Sequence, residues 1–225
     1  MGLILNLETA TTNCSVSLAR NGEIILVKEL NSANYSHAEK LHVFIDEVMQ
    51  STGSKMQDLD AVAVSKGPGS YTGLRIGVSA AKGLCYALGV PLISVDTLKS
   101  MAAQLSLEPK EALLIPVLDA RRMEVYSAVF NTELDRIRET KAEIIDKESF
   151  KDFLDSTTVH FLGSGAEKIQ GVLSQENINY HLGIVPSAKE MAQLSFSKYE
   201  LKEFEDVAYF EPFYLKDFVL QSARK

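Results

Sequence analysis

The stretch DAVAVSKGPGSYTGLR, residues 60–75, changes character twice within a few positions. DAVAVS is a short apolar run of strand composition. GPGSYTG supplies turn residues. The pattern then becomes helical from about Thr72 to Leu88 and stops at Gly89 and Pro91. A strand, a glycine-rich loop and a helix are therefore contiguous, as in an α/β layer. Glycines in such a loop permit positive φ and let backbone N–H groups face an anion at the helix N-terminus. The spacing fails both common phosphate fingerprints. Thr72 stands where a dinucleotide motif begun at Gly67 needs its third glycine, and no P-loop lysine follows. Two readings stay open: an anion cradle built from Gly67, Gly69, Ser70, Thr72, Gly73 and Arg75, or a tight turn setting the helix against its strand.

Upstream, apolar residues alternate or cluster over 3–7, 14–19 and 23–30, and the turn signals between them predict three hairpin-linked strands. Ser36 with Glu39 forms a capping-box signature, and Leu41, Phe44, Ile45, Val48 and Met49 recur at helical spacing until Gly53. Downstream, residues 91–95 read as a strand and Asp96 as the cap of a helix to about Leu105. The first half is thus βββαβαβα. A weaker copy follows: strands near 112–118, 123–130 and 140–145, a helix near 147–155 and a strand at 158–162. A helix after Gly163, a strand near 178–182 and a helix capped by Ser187 and Glu190 complete it. Two such halves predict an actin-like, Hsp70-like ATPase-type α/β fold of duplicated lobes (ASKHA), the second degenerate, with ligands in the cleft between them. That is a fold-level analogy. The boundary is expected in the polar SLEPKE, giving an N-terminal lobe 1–105 and a smaller lobe 106–225 whose last segment packs back onto either lobe.

Composition narrows the function. At 225 residues, with 46% hydrophobic and 24% charged, the chain has the make-up of a folded globular protein. No apolar run approaches the roughly 20 residues of a membrane span, so it reads as cytoplasmic. A net charge of −7 disfavours long-range attraction to nucleic acid. The basic pairs Arg121/Arg122 and Arg136/Arg138 lie among acidic residues and read as solvated surface. Cys14 and Cys85 are expected as buried free thiols. His37 and His42, five apart on one helix, point about 140° from each other, so no helical metal pair forms. His160 and His181 have no sequence neighbours that would complete a site, and no metal is expected. No GxSxG elbow or triad context supports a protease. Glu8 and Asp119 occupy equivalent turns of the two halves and would face the cleft, where kinases of this architecture handle magnesium and phosphate. Hairpin turns are also acidic for local reasons. Along the 72–88 helix Gly73, Gly77 and Ala81 lie four apart beside Ala80 and Gly83, a nearly bare face for either the sheet or a partner helix.

Taken in order, LETATTNCSVSL (7–18), GPGSYTGLRIGVSAAKGL (67–84), PLISVDTL (91–98), LDARRMEVYSAVF (118–130) and EPFYLKDF (211–218) resemble the TsaB (YeaZ) family. The resemblance implies a non-catalytic accessory subunit required for threonylcarbamoylation of adenosine 37, beside the anticodon, in tRNAs reading codons that begin with A. It implies heterodimerisation with, and activation of, the paralogue TsaD, joined by the ATPase TsaE. It further implies tRNA reached only through that complex, and a homodimer when alone. No cofactor is held firmly by this chain, with ATP or ADP at the partner interface. The implied docking residues are Ser36, Leu41, Phe44, Ile45, Val48, Gly73, Gly77, Ala80 and Ala81. The implied interfacial nucleotide or anion site is Glu8, Gly67, Gly69, Ser70, Thr72, Gly73, Arg75 and Asp119. Two departures stand out: Glu8 where many members have Asp, and Lys216 where the late motif commonly has Arg, which loses a bidentate donor. The competing expectation is a freestanding actin-fold ATPase or small-molecule kinase, resting on the glycine loop, Glu8 and Asp119.

Overall fold

The computed structural model describes residues 2–32, 36–105 and 112–216, so the expected boundary at 106–111 lies outside them. The first half runs β1 (Leu3–Glu8), β2 (Asn13–Arg20), β3 (Glu23–Asn31), α1 (His37–Ser51), β4 (Ala61–Ser65), α2 (Tyr71–Leu88), β5 (Leu92–Val95) and α3 (Thr97–Ala102). The second half repeats the order: β6 (Leu113–Asp119), β7 (Glu124–Phe130), β8 (Arg136–Ile144), α4 (Lys151–Leu154), β9 (Val159–Leu162), α5 (Ala166–Gln170), β10 (Ile178–His181) and α6 (Ala188–Leu201). Each half makes a five-stranded sheet, and the strand order matches: β3-β2-β1-β4-β5 and β8-β7-β6-β9-β10. This is the duplicated actin-like fold. Its second copy is reduced, with α4 and α5 only four and five residues long.

Both faces of the first sheet are covered, which is why LILNLE is buried throughout. Leu3, Leu5 and Leu7 join Cys14, Val16 and Leu18 under α1 and α2. On the opposite face Ile4, Ala61, Ala63 and Ile93 meet α6, which comes from the second half. A buried polar seam fixes α6 there. The Ser195 hydroxyl donates to Asn6 Oδ1 at 2.6 Å, and the Ser17 hydroxyl donates to Ala188 O at 2.7 Å. The exchange is mutual, because α3 of the first half places Leu98, Met101 and Ala102 against Leu114, Ala128, Phe130 and Leu162 of the second sheet.

Three local expectations are corrected. Ser36 precedes α1 with φ −112° and ψ 14°, outside the extended region a capping residue needs, and its hydroxyl makes no cap bond. Residues 147–150 are a turn, because Asp146 Oδ1 accepts the Glu148 N–H and Ser149 Oγ accepts the Asp146 N–H; helix α4 begins only at Lys151. Strand β8 begins at Arg136 rather than near 140, where the guanidinium covers the Phe130 ring and pairs with Asp96 at 2.7 Å.

Candidate functional site

The glycine-rich loop meets the turn between β1 and β2. Gly67 takes φ 108° and its N–H donates to Thr97 Oγ1 at 3.1 Å, tying the loop to the start of α3. The Ser70 N–H donates to Ala10 O at 2.7 Å, while Ser70 Oγ accepts the Gly73 N–H as the N-cap of α2. Thr9 Oγ1 then donates to Gly73 O at 2.8 Å. A Cβ on Gly69, Gly73 or Gly77 would lie 2.3, 2.1 and 2.2 Å from Ala10 O, Thr9 O and Thr9 Oγ1. These glycines therefore exist to let α2 lie against the turn. His37 closes it from the other side, its Nε2 2.6 Å from Thr11 O, and burial lowers its pKa.

The two acidic positions of the notional cleft differ. Glu8 is 0% exposed; Oε1 accepts the Ala10 N–H at 2.5 Å and Oε2 is buried without a hydrogen-bond partner. Desolvation pushes its pKa up to about 7, against the lowering effect of the Ala10 N–H, the Ser65 hydroxyl and the Thr9 N–H. Asp119 is exposed, and its Oδ1 accepts from the Arg121 N–H at 2.6 Å and from Lys168 Nζ at 2.7 Å. Both its partners belong to the second half.

A strap after α6 covers the loop. Glu205 bridges to Leu92 and extends the β5 edge. Lys82 Nζ donates to the carbonyls of Ala208 and Phe210. The Phe213 N–H donates to Lys66 O at 2.7 Å, Tyr214 packs on Tyr71 with ring centroids 4.9 Å apart, and Lys216 pairs with Glu124 on the second half. Arg75 lies on the Tyr71 ring and donates to its hydroxyl. Between loop, strap and Tyr126 a cavity of about 60 Å³ remains, well below the few hundred of an ordinary ligand site. The roles of Thr9, His37 and Phe213 were not legible in the sequence, because they come from contacts remote in the chain.

Of the expected docking set, Leu41, Ile45, Val48, Gly73, Gly77 and Ala81 are buried in the chain's own core. Ser36, Phe44 and Ala80 are half-buried. To solvent α1 shows Ala38, Glu39, His42, Val43 at 45%, Asp46, Gln50 and Ser51, and α2 shows Thr72, Arg75, Ser79, Gly83, Tyr86 at 86% and Ala87. A Cβ on Gly83 would meet nothing within 4 Å.

Two further expectations change. His160 and His181 do have a neighbour, each other: Nδ1 and Nε2 stand 2.9 Å apart across β9 and β10, and burial lowers both pKa values. Arg136 and Arg138 are half-buried; Arg138 pairs with Glu143 and lies over Phe150 and Phe153. Cys14 and Cys85 are free and buried as expected, and desolvation raises both thiols to about 11. Among the described residues no three His, Cys, Asp or Glu side chains gather as a metal site, and no helix is long and apolar enough to cross a membrane.

A family model described as TsaD, tRNA N6-adenosine threonylcarbamoyltransferase, matches residues 31–219. The tRNA threonylcarbamoyladenosine biosynthesis protein TsaB of Haemophilus influenzae is 30% identical over 224 residues, 95% of this chain and 93% of that protein. The chain belongs to the TsaB (YeaZ) family. Coverage separates it from the transferases of the same superfamily: the tRNA N6-adenosine threonylcarbamoyltransferase of Geotalea uraniireducens is 31% identical over 47% of this chain, which is only 35% of that enzyme. The fold agrees. YeaZ from Pseudomonas aeruginosa superposes with a TM-score of 0.79 at 22% identity, covering 96% of this chain and 100% of the other. In this chain the loop of residues 67–75 packs between α2 and the β1–β2 turn and is overlaid by the strap.

Proposed function

We propose that this TsaB-family chain is a non-catalytic accessory subunit for threonylcarbamoylation of adenosine 37 in tRNAs reading codons that begin with A. It acts in the cytoplasm by pairing with a TsaD-type transferase, with the ATPase TsaE joining the complex and tRNA engaged only there. The observation that carries this reading is Glu8. The carboxylate that an actin-fold phosphotransferase would turn toward its ligand is fully buried and raised toward neutrality, so it has no access to one. The pairing surface is the exposed stripe of α1 and α2 around Val43, Ser79, Gly83 and Tyr86. Any ATP or ADP at the interface is held jointly, with Thr72 and Arg75 as the exposed contributions from this side.

The test is reconstitution of tRNA modification with the cognate transferase, with and without this subunit. Modification that needs the wild-type chain and is lost with Gly83→Arg, a variant that still folds, supports the reading. Full modification without the subunit removes it. Micromolar ATP binding with turnover by the isolated chain would favour a freestanding ATPase or kinase instead.

A further inference from the structure

A larger cavity lies away from the loop, where the polar seam beneath α6 opens to solvent. It measures about 470 Å³, within the usual range for small-molecule sites, and lies between the Asn13–Asn31 end of the β2–β3 pair, Gln104, the 182–185 loop and the first turn of α6. Its interior is one-sided because its buried side-chain donors are spent, leaving Lys189 and Asn31 on the exposed rim. The Ser187 hydroxyl donates to Glu29 Oε2 at 2.7 Å. The Asn13 amide nitrogen donates to Glu29 Oε2 at 3.2 Å and to Pro186 O at 3.0 Å, which fixes the orientation of that amide. The Gln104 amide nitrogen donates to Val185 O.

What remains is acceptors. Asn13 is 2% exposed, yet its Oδ1 has no hydrogen-bond partner, and neither does the buried Oε2 of Glu190. Glu190 is the residue that SAKE spacing offers to a capping box; here Ser187 caps the Lys189 N–H, while the Glu190 carboxylate stands near Glu29 with Lys189 4.0 Å away on the exposed rim. Native proteins rarely leave buried acceptors unpaired, and those that do so beside a cavity invite a donor into it.

We infer that this pocket binds a small organic cation with an ammonium or guanidinium head, taken between Glu29, Glu190 and the Asn13 carbonyl oxygen. A bare metal ion fits less well. Two carboxylates line a space far wider than a single coordination shell, and no third His, Cys, Asp or Glu among the described residues joins them. Desolvation, reinforced by the charge of Glu29, raises the pKa of Glu190, so a bound cation would supply the compensation it lacks.

Agmatine, which carries both head groups, is the probe, titrated calorimetrically into the full chain at neutral pH, with backbone NMR shifts locating it. Saturable binding is expected, with shifts at residues 29–31 and 183–190. Glu190→Gln, which keeps side-chain shape, should weaken binding roughly tenfold or more, as loss of a charge-assisted partner does, while Glu200→Gln on the exposed side of α6 leaves it unchanged. Circular dichroism confirms that each variant folds, and Glu29→Gln serves as a second probe. No saturation at low-millimolar agmatine overturns the inference. So does equal weakening by Glu200→Gln, which would mean diffuse attraction, or displacement of agmatine by stoichiometric magnesium or calcium.

Discussion

Glu8 puts a pH response into a residue that touches no solvent. Its carboxyl has its ordinary value of 4.5 in the unfolded chain and about 7 when buried, so folding favours the protonated form. The stability this contributes is complete below pH 4.5 and is lost as pH rises to about 7, a change of roughly 3 kcal/mol at 1.4 kcal/mol per unit. Denaturant titrations of Glu8→Gln against wild type should therefore differ little at pH 4 and increasingly favour the variant toward pH 8; parallel curves would remove Glu8 as the cause. The glycines of α2 divide in the same residue-by-residue way. Gly73→Ala drives a Cβ into Thr9 O and should cost about 2 kcal/mol, as overpacking does, whereas Gly83→Ala in open space should gain about 0.5–1 kcal/mol from helix propensity. Thermal melts of the pair decide it. The spacing of Gly73, Gly77 and Ala81 was legible as one bare face, but its direction was not. Apolar residues flank it on both sides, and the obstruction that demands glycine, the β1–β2 turn, is sixty residues away in the chain.

At the level of elements, long amphipathic and apolar patterns read true, so α1, α2 and the strands of both sheets other than β8 stand where periodicity puts them. Short elements did not: α4 is cut to one turn because Asp146 and Ser149 bond to nearby backbone, and β8 is lengthened by tertiary contacts of Arg136. The strap is the element least marked by local pattern. The segment expected on either lobe touches both, through Lys66 and Glu124. A surface ion pair alone is worth at most about 1 kcal/mol, so Lys216→Ala combined with Tyr214→Ala should lower the melting temperature only slightly. Its specific mark should be faster amide exchange at residues 67–70, read by hydrogen–deuterium exchange mass spectrometry. Unchanged exchange there would mean the strap rests on the loop without protecting it.

For the whole molecule, the duplicated order was legible because each half repeats the same eight elements, whereas the exchange of α3 and α6 between sheets was not, since nothing in a helix's own pattern names the sheet it will cover. The exchange makes the halves interdependent: Ile4, Ala61, Ala63 and Ile93 have α6 as their cover, and Leu114, Phe130 and Leu162 have α3. Residues 1–105 and 106–225 expressed separately should each stay unfolded or aggregate, and should recover native circular dichroism when produced together; an autonomously folded N-terminal piece would contradict this. The same arrangement sets a timetable on the ribosome. The first sheet emerges early with one apolar face bare, and its cover, Ala188–Leu201, follows only after the whole second sheet has been made. Until then that face stays exposed, so the nascent chain is a natural client for a holding chaperone until α6 leaves the exit tunnel.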